Sequence, residues 1–159
     1  MVAGADLRAI MRWYPQGVSV LTVEHERDRM GVTISSLVSL SLEPALVGVS
    51  IGHQASIYEL MRQASGFGIS LLGRDQEDYA LRFAAGYPPI VHWQGIETRE
   101  GPAGVAPLLA HAAGWLECRT DAEHVVGDHT FFVGAVLSAE RGPEPGGLVY
   151  RDRSYHPVS

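Results

Sequence analysis

Three short segments carry the side chains best placed to do chemistry. Gly31-Val32-Thr33-Ile34-Ser35-Ser36 sets three hydroxyls and a run of backbone N–H groups within six residues. At the end of a strand, such a turn can donate to a phosphate or to the polar edge of a ring-shaped ligand without any ammonium group. An ordinary strand end rich in Ser and Thr is the plainer alternative. Gly127-Asp128-His129-Thr130 puts a carboxylate beside an imidazole, which can fix the ring's tautomer and orientation; a polar turn is its plainer reading. Gly48-Val49-Ser50-Ile51-Gly52 matches the G-x-S-x-G of a hydrolase nucleophile elbow, with Asp and His residues following in the required order. An elbow must turn directly from strand to helix. Ser50 instead lies in an apolar run and the next helix signal waits until Ser56, so a serine hydrolase using Ser50 is only a remote alternative.

Composition removes whole classes of chemistry. The chain has 159 residues, twelve basic against eighteen acidic, and a net charge of −6. All twelve basic residues are Arg, so a phosphate-loop lysine, a pyridoxal Schiff base and a lysine general base are excluded. The acidic balance without a basic cluster argues against nucleic acid as a partner. Cys118 is the single cysteine, which rules out an internal disulfide, a cysteine-rich zinc site and a two-cysteine redox motif. Between Leu116 and Thr120 it reads as a small buried apolar residue. His124 and His129 lack the third ligand that zinc spacing would supply, so no metal is expected. In a lysine-free chain Arg82 becomes a plausible phosphate partner, because its planar fork matches phosphate oxygens.

The elements that must position these groups are mostly strands. Asp6 can cap a short helix with Leu7, Ile10 and Met11 on one face, expected to lie as a lid on the core. Val18 to Val23 and a segment beginning near Met30 read as a hairpin around a charged turn. Val38, Leu40 and Leu42 alternate with Ser39 and Ser41, which predicts one face in a core. The apolar run Ala45 to Ile51 predicts a central strand covered on both faces. Ser56 and Glu59 form a capping-box pattern for a helix carrying Ile57, Leu60 and Met61 inward. Phe67 to Leu72 is a further strand, and Asp75 opens a helix reaching Ala84. Gly and Pro dominate Ala85 to Pro107, where a long irregular excursion with one strand near Val91 to Glu97 is expected. Trp115 to Thr120 and His129 to Ser138 complete the main strands. Phe131, Val133, Ala135 and Leu137 share a side of the latter, and Gly134 marks a bulge or close approach. The length suits one domain over residues 1–159. No apolar run spans a membrane, and the first thirty residues show no secretory signal, so a cytoplasmic location is expected.

Taken in order, these segments resemble the flavin reductase family, the small NAD(P)H:flavin oxidoreductases that serve two-component monooxygenases. The resemblance starts at Tyr14-Pro15-Gln16-Gly17-Val18. It runs through Gly31 to Ser36, Ser39 to Pro44 and Leu81-Arg82-Phe83-Ala84, then Leu116-Glu117-Cys118 and Gly127-Asp128-His129-Thr130, to Tyr150 through Pro157. It implies a mainly β fold with short helices, a Greek-key-like antiparallel FMN-binding split barrel assembled as a homodimer. It also implies FMN or FAD held by Thr33, Ile34, Ser35 and Ser36, by the region from Ser50 to Ser56, and by Arg82 with Phe83. His129 would lie beside the nicotinamide of NADH or NADPH, and Arg153 and Tyr155 would border the flavin or the nucleotide. The implied partner is a flavin-dependent monooxygenase component, reached through diffusing reduced flavin if not directly. Gln16 where Thr is common, Ser70 where Asn is common, and the His92-Trp93 segment depart from the family pattern. A flavin- or haem-binding split barrel without this catalysis is the competing reading.

Overall fold

Alternating and β-branched runs between charged or Gly–Pro turns favour strands over helices. The computed structural model, which describes residues 1–159, is built mainly from them. In chain order the elements are α1 (Gly4–Met11), β1 (Gln16–Gly17), β2 (Ser19–His25), β3 (Asp28–Ile34), β4 (Val38–Leu42), β5 (Ala45–Gly52), α2 (Tyr58–Gln63), β6 (Gly66–Leu71), α3 (Glu77–Ala84), α4 (Pro89–Trp93), β7 (Thr98–Glu100), β8 (Pro107–Leu109), β9 (Gly114–Val126), β10 (His129–Arg141), β11 (Gly147–Arg151) and β12 (Ser154–Val158). Seven strands form one sheet in the order β3-β2-β6-β9-β10-β5-β4, with every neighbouring pair antiparallel. β1, β11 and β12 form a three-stranded sheet, and β7 pairs with β8. No helix is long and apolar enough to cross a membrane.

The main core shows how the large sheet bends. Ile34 of β3 and Val49 of β5 stand near opposite ends of the strand order, yet both belong to one buried cluster with Leu21, Phe67 and Phe132. The sheet therefore curls until its two ends face each other, as its native twist allows. No backbone ladder joins those ends. Ser36 spans the gap instead: its hydroxyl donates to the Ser50 carbonyl and accepts from the Ser50 N–H, both at 3.0 Å. Ile57, Leu60 and Met61 plug the core from α2 and the turn before it. A second cluster, with Val20, Leu72, Phe83 and Leu148, lies between β2, α3 and the C-terminal strands.

Several expectations are corrected. α1 forms, but it buries none of its residues, and Leu7, Ile10 and Met11 are exposed. It is turned so that Ala5, Arg8, Ala9 and Arg12, spaced along one helical stripe, face a cavity instead of the core. Val38, Leu40 and Leu42 of β4 also stay exposed, because β4 is an edge strand. β5 lies one place from that edge rather than at the centre. Its unbroken apolar run arises because Val47, Val49 and Ile51 enter the core while the Phe131 ring covers Gly48 from the other side. Ser56 caps nothing, and α2 starts at Tyr58 without a side-chain cap. The residues from Pro89 to Trp93 are helical where a strand was expected, since Pro89 occupies the first turn, where proline's missing N–H costs nothing. Gly134 sits at a register shift, and an added Cβ would lie 2.6 Å from the Phe67 ring.

Candidate active site

Where β3 ends and β10 begins, the curled sheet leaves a cleft of about 300 Å³. Thr33, Ile34, Ser35 and Ser36 line one side, and Ser50, Ile51, Gly52 and His129 line the other. The register explains the second wall, because His129 is paired with Gly52 and Phe131 with Ser50. Gly52 leaves the imidazole room: a Cβ there would meet His129 Nε2 at 3.4 Å.

The donors in this cleft divide into those already used and those left free. Thr33 donates its hydroxyl to the Ala80 carbonyl at 2.7 Å, tying β3 to α3, and Ser36 is committed to Ser50. The hydroxyls of Ser35 and Ser50 make no hydrogen bond within the chain, and neither do the consecutive backbone N–H groups of Ser35, Ser36 and Leu37. Half-buried polar groups of this kind need an acceptor from water or a ligand, and successive N–H groups form a favourable anion cradle. Ile34, Ile51 and Ile57 supply apolar wall. A planar heterocycle with a polar edge and an anionic tail fits this donor set.

His129 is oriented by its neighbour. Nδ1 donates to Asp128 Oδ1 at 2.7 Å, which assigns the proton to Nδ1 and leaves Nε2 available to the cleft. That hydrogen bond and the adjacent imidazole hold the fully exposed Asp128 carboxyl below its ordinary range. Behind this wall, Thr130 Oγ1 lies 3.0 Å from His53 Nε2 and 2.9 Å from the Tyr58 hydroxyl, a polar cluster that sequence reasoning missed.

Not every predicted site residue reaches the cleft. Arg153 lines an adjoining cavity that shares Gln16 and Ser35 with it. Tyr155 packs against Tyr150 with ring centres 5.0 Å apart. Ser56 lies on a separate groove with Met30, Glu59 and Trp93. Phe83 is buried in the second core cluster. Arg82 donates from Nη1 to the carbonyls of Gln94 at 2.8 Å and Val91 at 3.2 Å, which satisfies the end of α4. Ala55 joins the cleft from within the Ser50–Ser56 region, and Gln16 joins it without having been named as a ligand; the available signal for Gln16 was its place in the Tyr14–Val18 segment. Cys118 is fully buried and its thiol is pushed up to about 12 by burial and then by Glu117, so it is no nucleophile. A polar groove beside β7 holds Arg29 and Arg99, but each is paired, with Glu24 at 3.0 Å and Glu140 at 3.1 Å.

Comparison with known proteins agrees with this geometry. Residues 11–159 match the family described as flavin reductase like domain. An NADH-dependent FMN reductase of Streptomyces nodosus subsp. asukaensis is 38% identical over 134 residues, covering 82% of this chain and 71% of that protein. The reductase component of 4-hydroxyphenylacetate 3-monooxygenase from Thermus thermophilus is 34% identical, covering 89% and 88%. The solved NADH:FAD oxidoreductase of Streptomyces globisporus superposes with a TM-score of 0.91 at 31% identity, over 100% of this chain and 97% of that one.

Proposed function

Since the chain belongs to the flavin reductase family, we propose that its cleft binds FMN or FAD beside a reduced nicotinamide and passes hydride from one to the other. The observation that carries this reading is the shared wall: the free donors after β3 and the oriented His129 of β10 open onto one cleft. NADH is the donor on the evidence of the relatives, and NADPH is the alternative to be assayed beside it.

The flavin supplies the hydride acceptor, so the protein needs neither a nucleophile nor a metal for the transfer itself. Its own residues bind and orient. The N–H groups of Ser35, Ser36 and Leu37 with the Ser35 and Ser50 hydroxyls hold the polar edge or phosphate of the flavin. Ile34, Ile51 and Ile57 exclude water from one side. His129 Nε2 accepts from the nicotinamide carboxamide and fixes the ring's tilt, while Asp128 keeps the imidazole from rotating. Correct alignment of two bound reactants is worth roughly 7–11 kcal/mol of barrier, which is enough for a site with so few polar groups. Arg153 and Tyr155 border the ligands from the C-terminal hairpin. From outside this cleft, Phe83 packs its ring against Gly31 of β3 and Arg82 holds the end of α4.

The same reading makes residues 1–159 a single split-barrel domain that works as a homodimer. Register places Val38, Gly48, Val133 and Ala122 in one row across β4, β5, β10 and β9. That row lies on the sheet face away from the core, where Val38 and Leu137 are exposed. Exposed apolar side chains gathered on one sheet face fit an interaction surface. A cytoplasmic enzyme would deliver reduced flavin to a monooxygenase component. The function is tested by mixing purified protein with NADH or NADPH and with FMN or FAD, and following nicotinamide absorbance. Oxidation that depends on added flavin is expected; none with any of the four pairs would overturn the proposal.

A further inference from the structure

Gln16 is the residue through which the small three-stranded sheet reaches the flavin cleft. Every other residue lining the cleft belongs to β3, β5 or β10, or to the segments that follow β3 and β5. The short strand that carries Gln16 is fixed on both sides of the cleft. Gln16 pairs with Tyr150 of β11, and the Val18 N–H two residues on donates to the Leu148 carbonyl at 3.0 Å. Val18 itself is buried in the second core cluster. Gln16 also lines the adjoining cavity of about 530 Å³, so it stands where the two spaces meet. It is half-buried, and its carboxamide makes no hydrogen bond within the chain.

The rest of the cleft is a wall of donors. Its other polar side chains are Thr33, Ser35, Ser36, Ser50 and His129, and no carboxylate lines it. The free N–H groups of Ser35, Ser36 and Leu37 donate and cannot accept, so they suit phosphate and ring carbonyl oxygens. The pyrimidine edge of a flavin ring, however, presents C2=O, N3–H and C4=O in a row. Its middle group is a donor, and burying it without an acceptor is costly. His129 Nε2 accepts from the nicotinamide, which leaves Gln16 Oε1, the one side-chain carbonyl oxygen on the cleft. An amide set against such an edge forms two parallel hydrogen bonds, with N3–H donating to Oε1 and Nε2 donating to a neighbouring ring carbonyl. Asn and Gln read the edge of adenine by the same two-point pairing. A threonine, the residue common at this position in the family, carries a single hydroxyl close to the backbone and cannot make both bonds.

We propose that Gln16 recognises the pyrimidine edge of the flavin ring by this amide pairing, and so selects for a ring that carries an N3–H. The inference rests on the flavin-reductase reading and deepens it, since it names the side chain that reads the ring rather than the phosphate. FMN and its N3-methyl derivative are the probes, each titrated into the whole protein by fluorescence quenching. Wild-type protein is expected to bind FMN about tenfold more tightly than the methylated form, and Q16M, which keeps the side chain's length and removes the amide, to bind FMN about tenfold more weakly than wild type. Q16M should also bind the two flavins alike, and so should Q16A, which leaves room for the added methyl group. Equal affinity of wild type for the two flavins, unchanged FMN affinity in Q16M, or a preference for FMN that survives in both variants would overturn the proposal. Flavin-dependent NADH oxidation by wild-type protein alongside any of these results leaves the functional reading standing. Protein that neither binds FMN nor oxidises NADH with any flavin fails both, so the two failures are separable.

Discussion

Two side chains carry the most specific consequences at the scale of single residues. His129 is expected to position the nicotinamide through Nε2, so H129A should lower kcat/KM for NADH about tenfold, the loss of one hydrogen bond in the transition state. Steady-state kinetics at saturating flavin checks this, and unchanged kcat/KM would remove His129 from the site. Glu117 is fully buried and accepts from the Ala103 N–H at 2.9 Å, the Val105 N–H at 3.2 Å and the Ser138 hydroxyl at 2.6 Å. Burial pushes its carboxyl up, but hydrogen bonds from Ser138, Ala103, Val105 and Gly104 outweigh this and hold it below its ordinary value. Folding therefore favours the ionised form. Its stabilisation is complete above the pKa of an unfolded glutamate, about 4.3, and is lost as pH falls through the lower folded value. E117Q should cost about 2 kcal/mol at neutral pH, by turning an amide N–H toward groups that donate. Denaturant titrations should show that difference shrinking in acid; a constant difference would contradict the assignment. The Leu116-Glu117-Cys118 segment stood out in the sequence, yet nothing there showed that the carboxylate anchors a loop 12 to 14 positions away.

Among the elements, β6, β9 and β10 must approach closely for the sheet to curl. Gly134 lies where β10 shifts register against β9, and an added Cβ would sit 2.6 Å from Phe67 and 2.9 Å from Cys118, both fully buried. Neither neighbour can move into solvent. G134A should destabilise the protein by about 1–3 kcal/mol of overpacking strain. Thermal unfolding would show this as roughly 2–4 °C for each kcal/mol, and an unchanged Tm would mean the core yields more easily than its packing indicates. The strands were legible because period-two alternation and turn residues are local signals, as in the β2–β3 hairpin and in β10. The direction of an apolar face is not local. Leu7, Ile10 and Met11 have helical spacing, and Val38, Leu40 and Leu42 have strand spacing, yet both sets point outward because other residues fill the core. Val91 to Glu97 misled for a related reason: a proline can open a helix as readily as it can end a strand.

For the whole molecule, the outward apolar rows become understandable if two copies pack together. Light scattering should give a mass about twice the 17.2 kDa of one chain. V38E combined with V133E, placing charge in the row that crosses β4, β5 and β10, should shift it toward the single-chain value. A wild-type mass of one chain would remove the homodimer. The pairing of Gln16 with Tyr150, which joins the two ends of the chain, had no signal in the sequence. Composition and periodicity gave strands but could not place Ser35 opposite His129, because that meeting depends on the curl of a sheet whose partners lie up to a hundred residues apart. Arg82 is a different case. Its residue type suits a phosphate, and the structure shows its Nη1 donating to carbonyls at the end of α4, a contact no local pattern in the sequence announces.

Anaerobic mixing of the protein with equimolar NADH and FMN or FAD tests hydride transfer most directly. The account predicts that flavin absorbance bleaches in step with nicotinamide oxidation, one flavin reduced for each NADH consumed, and far faster than in protein-free controls. Bleaching no faster than in those controls, or nicotinamide loss without flavin reduction, would contradict it.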